Sequence, residues 1–585
     1  MNAFSDLLVT FGEADEPTIT RLGNQWELVN DEAGIRTSAG TGASAPAAAA
    51  AQHGPWSAWA VGDVFAYRNS TTDPLVAFVK DLANGSEAPR DLDMHAAVFA
   101  WDTLRRELHV WVNRMGTVHV YVGGQAGRRR VGTPFAAVAE VSSLEPDWIG
   151  ITGFCGVGFY VADRTPFNDV RILRPATHTV FDAEGEQVSQ RRYWDWWYEP
   201  KHGRPADDLV DEFHEIWEST LARQVADRTT VVPVSGGLDS RTIVAGLTSQ
   251  PTPVTCLPAL FTYGYADSSV ETRIARGVAR ARGLPIREMT IGRYLCDRVD
   301  EVIGSVEGFQ ALTLSRQIGA SAVLAGMGER VVGGHWGDVW FDGSSDPSAV
   351  SNAGLVDMAM AKFSKRGSEW LFDRICRPNL GGVEPSDVLR DVLRSEIERL
   401  PDLEDVDMRL KALKTEQWSF RWTLASVRAY QLAQPTLMPF YANDLVDFFL
   451  RVPTSALPGR RLQKAYLCRH HPDLARVRWQ DSGMSLFEHR WEPSAAFARR
   501  ALAKGVRTAR RRTVTERNWE LQYHDLDRTG RLAASLLGTL PGEPVESQVT
   551  DDLLLRLGGA PDPAAGHAFD TLLTIAGTFN AAGRP

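Results

Sequence analysis

Between residues 229 and 247 the chain passes from an apolar run through a glycine turn into a helix-forming stretch, and this passage restricts the fold more than any other. Thr230, Val231, Val232 and Val234 favour an extended strand. The turn that follows carries Ser235, Gly236, Gly237, Asp239 and Ser240, and a helix is expected to begin near Ser240. Adjacent glycines have no Cβ to hold a ligand away from the backbone. The first turn of the helix presents unpaired N–H groups and the positive end of its dipole to the same space. A strand, a glycine turn and a helix start in this order form a phosphate-binding arrangement. An ordinary Gly-Gly turn is the alternative, and the serines and the acid around the glycines weigh against it.

The sequence on either side supplies the rest of a sheet. Leu209, Phe213, Ile216, Trp217 and Leu221 fall on one face at helical spacing before the turn. Residues 260–264 read as the next strand, ending at Tyr263 and Gly264, and residues 270–282 as a helix stopped by Gly283. Strands alternating with helices predict a parallel sheet covered on both faces, with ligands beyond the strand C-termini. A further strand end carries Gly333, Gly334, His335, Trp336, Gly337 and Asp338. Downstream, residues 403–430 are expected to be largely helical, and Phe440, Leu445, Phe448 and Phe449 read as core.

The N-terminal third is different. Residues 7–11, 26–29, 98–101, 108–113 and 118–122 are short β-like runs separated by turn residues, the pattern of a layered β domain. Residues 38–51, rich in Ala, Gly, Ser and Thr, are expected to form a loop. Cys155 lies in a strand-like apolar run and is expected to be a small core residue. A Pro/Gly linker at 199–206 joins the two parts. At 585 residues the chain exceeds one core, and its net charge of −10 argues against nucleic acid as a main partner. No apolar run approaches a membrane span, and the N-terminus lacks signal-peptide character. Cys155, Cys256, Cys296, Cys376 and Cys468 are widely spaced without a CxxC pair, so zinc sites and disulfide frameworks are not expected and a reducing, cytoplasmic setting is.

The turn has no Gly-Lys-Ser/Thr and is not a Walker loop. Ser235-Gly-Gly-Leu-Asp-Ser240 instead resembles the pyrophosphate loop of the ATP pyrophosphatases, and the order of segments across the chain resembles the asparagine synthetase and β-lactam synthetase family. The resemblance implies an α+β two-domain protein, and residues 459–467 match a helix of the family through it alone. An Ntn-type, glutaminase-like domain of stacked β-sheets would occupy 1–203, an α/β parallel-sheet synthetase domain 204–490 and a helical extension 491–585. It implies ATP held by Val234, Ser235, Gly236, Gly237, Asp239, Ser240, Tyr263, Gly264, Gly333 and Gly334, magnesium held by Asp239 and Asp338, and His335, Asp239 and Asp338 as catalytic residues. His335 stands where relatives place an acid or a tyrosine, and a histidine there can act as a base or simply pack against substrate.

Two departures shape the functional expectation. Glutamine-hydrolysing relatives carry a cysteine after the initiator methionine, whereas this chain has Asn2, whose amide cannot form a thioester. Relatives also place a lysine in a loop matching residues 477–486, where this chain offers only Arg478. The resemblance therefore implies an ATP-dependent ligase that adenylates a small-molecule or peptide carboxylate and joins it to an amine without hydrolysing glutamine, as β-lactam synthetases and lasso-peptide cyclases do. Asparagine formation from aspartate and free ammonia, and a catalytically silent scaffold, are the alternatives. A homodimer is a candidate assembly. Lys464 reads as a solvated helix residue or a phosphate contact, and the basic stretch from Arg499 to Arg512 as a solvated face or a docking surface for an anionic partner.

Overall fold

The computed structural model describes residues 3–12, 17–32, 35–42, 48–226, 228–249, 257–265, 269–343, 351–491, 517–542, 547–559 and 561–583. Asn2, Cys256 and the basic stretch from Arg499 to Arg512 lie outside them.

Among the described residues, twelve strands build the N-terminal part: β1 (Ser5–Gly12), β2 (Gln25–Glu32), β3 (Ile35–Thr41), β4 (Ala49–His53), β5 (Trp56–Tyr67), β6 (Leu92–Asp102), β7 (Glu107–Val112), β8 (Tyr121–Gln125), β9 (Arg128–Gly132), β10 (Val170–Ile172), β11 (Thr177–Phe181) and β12 (Gln187–Arg192). They form two six-stranded antiparallel sheets in the orders β10-β8-β9-β1-β3-β2 and β12-β11-β7-β6-β5-β4. Period-two alternation stacks them. Leu7, Val9 and Phe11 of one sheet meet Ala97, Phe99 and Trp101 of the other in a shared core. The opposite face of β6, with Met94, Ala96 and Val98, packs under Leu75, Phe78 and Val79 of the Pro74–Ala83 helix. This is the stacked-sheet domain that the resemblance implied.

Three local readings are corrected here. Ser38 to Thr41 belong to β3 and Ala49 to Ala51 to β4, because pairing with β1, β2 and β5 stabilises a tract whose own propensity is weak. Residues 118–120 precede β8, which starts at Tyr121. Cys155 is a core residue, but in the Trp148–Val157 helix; an apolar run without periodicity does not separate a buried strand from a buried helix.

The second part is organised by a parallel sheet of β13 (Thr230–Pro233), β14 (Ala259–Gly264), β15 (Ile286–Thr290), β16 (Arg330–Val332) and β17 (Thr436–Leu437), ordered β15-β14-β13-β16-β17. The order reverses between β13 and β16, which makes the crevice beyond their C-termini the switch point of an open α/β sheet. The helix Ala206–Val225 packs beside it through Leu209, Phe213, Trp217 and Leu221. The linker does not hang free: the Glu199 and Lys201 N–H groups donate to the Leu450 and Arg451 carbonyls at 3.1 and 2.9 Å.

The C-terminal helix Pro563–Gly583 is buried along most of its length in the same core as the sheet. Buried charge joins the two parts: Arg21 lies 3.3 Å from Asp6 and 2.9 Å from Glu307, which also takes Arg428 at 2.9 Å. His119 fixes a tautomer in this seam, since Nε2–H donates to the Phe420 carbonyl at 2.6 Å while Nδ1 accepts from Arg428 at 2.7 Å. No helix among the described residues is long and apolar enough to cross a membrane.

Candidate active site

The turn after β13 folds as its composition suggests. The Ser240 hydroxyl accepts the Ser235 N–H at 3.2 Å, and the Ser235 hydroxyl accepts the Gly237 N–H at 3.2 Å. The helix Asp239–Leu247 follows directly, with Asp239 in its first turn. Val234 is buried, and its N–H donates to the Phe261 carbonyl at 2.7 Å. Tyr263 and Gly264 end β14 on the neighbouring strand.

The turn after β16 meets the first one side on. A Cβ on Gly334 would stand 3.1 Å from the Ser240 nitrogen, and one on Gly337 would stand 2.9 Å from the Asp239 Cγ and Oδ1. Only glycines allow this approach. Trp336, at φ +75, turns the chain through the left-handed region, and its indole N–H donates to the Thr415 hydroxyl at 3.1 Å. The short helix Gly337–Phe341 then starts with Asp338, which is exposed at the mouth of the crevice.

The two acids have different surroundings. Burial pushes the Asp239 carboxyl up to about 6, with Arg460 opposing the rise and the negative charge of Asp338 adding to it. Arg460 stands 3.2 Å from Asp239 Oδ1, and the Gln463 amide donates to the same oxygen at 2.9 Å. A buried carboxylate whose charge is disfavoured by burial and by a second acid nearby is part of a donor set that a hard divalent cation relieves, and the residues present therefore fit magnesium. Burial lowers His335 to about 4, so its ring is neutral at pH 7. Its Nδ1 is packed without a hydrogen-bond partner.

Several contributors escaped the sequence reading. Arg241, fully buried on the Asp239–Leu247 helix, donates to the carbonyls of Leu474, Val477 and Arg478 at 3.2, 2.9 and 2.7 Å. It thereby pins the segment in which, by the family resemblance, relatives place a lysine. Gln480, not Arg478, lies over the glycine turn: its N–H donates to the Gly236 carbonyl at 3.1 Å and its amide to Glu271 at 3.1 Å. Lys414 stacks 5.9 Å from the Trp336 ring, where burial lowers its pKa and the Asp338 charge raises it. Lys464 is half-buried with its ammonium 5.5 Å over the Trp479 ring, so it is not the solvated helix lysine of the sequence reading. Arg460 and Gln463 lie 221 and 224 positions from Asp239, a separation that leaves no local signal. Only the helical start near residue 459 hinted at them.

Fold and site together define an α/β domain with a glycine turn at the switch point of a parallel sheet, joined to a stacked-sheet domain. Residues 214–371 match the family model described as asparagine synthase. No curated protein matches the chain. Among solved structures, a glutamine phosphoribosylpyrophosphate amidotransferase from B. subtilis complexed with ADP and GMP is 12% identical, with 48% of this chain and 65% of that one covered and a TM-score of 0.20. A structure described as the allosteric regulatory enzyme of purine biosynthesis is 11% identical, with 49% and 59% covered and a TM-score of 0.19. The chain thus spans under two thirds of either protein's length, and likenesses this distant leave its activity to be inferred from its own residues.

Proposed function

We propose that this protein is an ATP-dependent amide-bond-forming ligase that activates a carboxylate as its adenylate and joins it to an amine from a source other than glutamine. The observation that carries the reading is the contact of the two loops at the switch point, with Gly337 against the Asp239 carboxylate. In this reading Ser235, Gly236, Gly237 and Ser240 hold the pyrophosphate end of ATP, with Val234, Tyr263, Gly264, Gly333 and Gly334 shaping the nucleotide site. Asp239 and Asp338 would hold magnesium, which supplies charge neutralisation for the phosphates. The substrate carboxylate oxygen bonds to the α-phosphorus, the bond to the β-phosphate bridging oxygen breaks, and pyrophosphate leaves. The amine then displaces AMP from the acyl carbon. Positioning and electrostatic stabilisation supply most of the acceleration in such a site.

Arg460, which cannot trade protons at neutral pH, is suited to hold charge rather than to move a proton. His335, neutral but weakly basic, serves better as a hydrogen-bonding wall than as a general base. Exchange of labelled pyrophosphate into ATP across a panel of carboxylic acids and peptides tests the reading. Exchange dependent on one class of acid and lost in Asp338→Ala supports it; nucleotide binding without exchange on any acid leaves the silent-scaffold alternative.

A further inference from the structure

A cavity of ≈ 710 Å³ opens beside the second loop, bounded by His335 and Tyr265 on the sheet side and by Trp519 and Asp570 of the C-terminal helices opposite. It lies within the size range of sites for ligands of several hundred daltons, about 300–1,000 Å³. None of the residues from 235 to 240 lines it, so it is separate from the phosphate turn.

Its charge is one-sided. Arg316, Lys365, Arg366 and Arg517 all line the cavity, and none has a carboxylate partner among the described residues. The chain as a whole carries a net charge of −10, and most of the buried arginines among the described residues are ion-paired, as Arg21, Arg130 and Arg428 are. The single acid of the lining, Asp570, is already satisfied. It accepts from the Thr313 hydroxyl at 2.5 Å and from the Tyr523 hydroxyl at 2.7 Å. Unpaired cations walled by protein focus a positive potential on an anion.

Tyr265, Trp422, Trp519 and amide side chains complete the lining, and Trp418 and Tyr263 contact its cations from outside it. The Lys365 ammonium lies 5.4 Å from the Trp418 ring and 5.6 Å from the Trp422 ring, and the Arg316 guanidinium lies 5.4 Å over the Tyr263 ring. Stacking holds these cations in place without neutralising them. Gln310 and Gln317 are both over nine-tenths buried, and Gln310 Nε2, Gln317 Oε1, Trp422 Nε1 and His335 Nδ1 have no hydrogen-bond partner. Buried polar atoms are rarely left unpaired, and four of them around one cavity mark a place built for a polar ligand.

We propose that this cavity is the acceptor-substrate subsite, and that it takes a peptide-like molecule of several hundred daltons bearing at least two carboxylates. One carboxylate would face the nucleotide loops past His335, and the other would be held by Arg316, Lys365, Arg366 and Arg517, with a planar group against the lining residues Trp422 and Trp519. The proposal rests on the ligase reading for its purpose, but binding itself needs no ATP.

Calorimetry on the full chain without nucleotide tests it with three probes: N-acetyl-Trp-Glu, N-acetyl-Trp-Gln and the fully amidated N-acetyl-Trp-Gln. The dianion is expected to bind at least tenfold more tightly than the monoanion, and the neutral peptide more weakly still. Arg366 and Arg517 are both exposed, so the double substitution Arg366→Gln, Arg517→Gln spares the fold; it is expected to weaken the dianion at least threefold and leave ATP binding unchanged. Equal affinity for the three probes, no binding of any, or an unaltered dianion affinity in the double variant overturns the proposal. Failure of the ligase reading would show separately, as probe binding without AMP formation.

Discussion

Arg460 and Asp239 lie 221 positions apart in sequence and 3.2 Å apart in the folded chain. Their contact ties the helix that follows the glycine turn to the start of the Arg461–His470 helix, and among the described residues Arg460 is the one cation ion-paired with the Asp239 carboxylate, whose charge burial disfavours.

Asp239 is kept at a cost to stability. Its pKa is raised from 3.8 to about 6, so above that pH the charged form is penalised in the folded state. Asp239→Asn is expected to raise stability at pH 8 by about 1–3 kcal/mol, by the usual conversion of ~1.4 kcal/mol per unit, while abolishing pyrophosphate exchange. Denaturant unfolding and exchange on the same preparations check the opposed effects. A variant that loses both stability and exchange would show Asp239 to be structural.

Gly337 and Gly236 separate backbone approach from side-chain approach. A Cβ at Gly337 meets the Asp239 carboxylate and the Phe440 ring at 2.9 Å, whereas at Gly236 it meets the flexible Gln480 amide. Gly337→Ala is expected to lower exchange at least tenfold, and Gly236→Ala by less than half as much on a logarithmic scale. Circular dichroism of both should match the parent.

Arg241 is the structural clamp of the site. Replacing it by Leu leaves three carbonyls without their donor, each such loss costing about 1–3 kcal/mol when buried. The midpoint of unfolding is expected to fall accordingly, and limited proteolysis to cut near Arg478 first. Arg241→Lys should recover only part of the loss, because a lysine cannot reach three carbonyls in a fixed fork.

Acid sensitivity follows from buried histidines. Burial lowers His95 and His567 to about 4 and His178 and His471 to about 3, from 6.5. Between those values and 6.5 the unfolded chain binds more protons, so stability present above pH 6.5 is lost as pH falls. Asp239 and Asp570, both raised to about 6 by burial, act in the opposite sense, gaining stability as pH falls from 6 towards 4. The histidines outnumber them, and thermal melts are expected to show Tm falling steadily from pH 7 to pH 5. A flat or rising Tm over that range would contradict the assignment.

How much of this was legible differs by scale. The turn at Ser235 and the loop at Gly333 could be read because strand, glycines and helix start are contiguous, and their chemistry is local. The β3 and β4 tract could not, since Ala39 and Gly40 are strand residues only because β1 and β2 flank them. Arg460, Gln463 and Gln480 carried no signal of their own: their position is set by how the helices near residues 460 and 474 pack on the sheet. The same holds for the cavity, whose far wall comes from Asp570 in the last helix.

Adenylation requires that ATP be split between its α and β phosphates, and the nucleotide product reports this without reference to the identity of the amine. The decisive measurement is chromatography of that product from purified full-length protein with magnesium and an accepted acid. AMP and pyrophosphate are expected in equal amounts, both absent in Asp338→Ala; ADP with inorganic phosphate as the products would contradict the ligase reading.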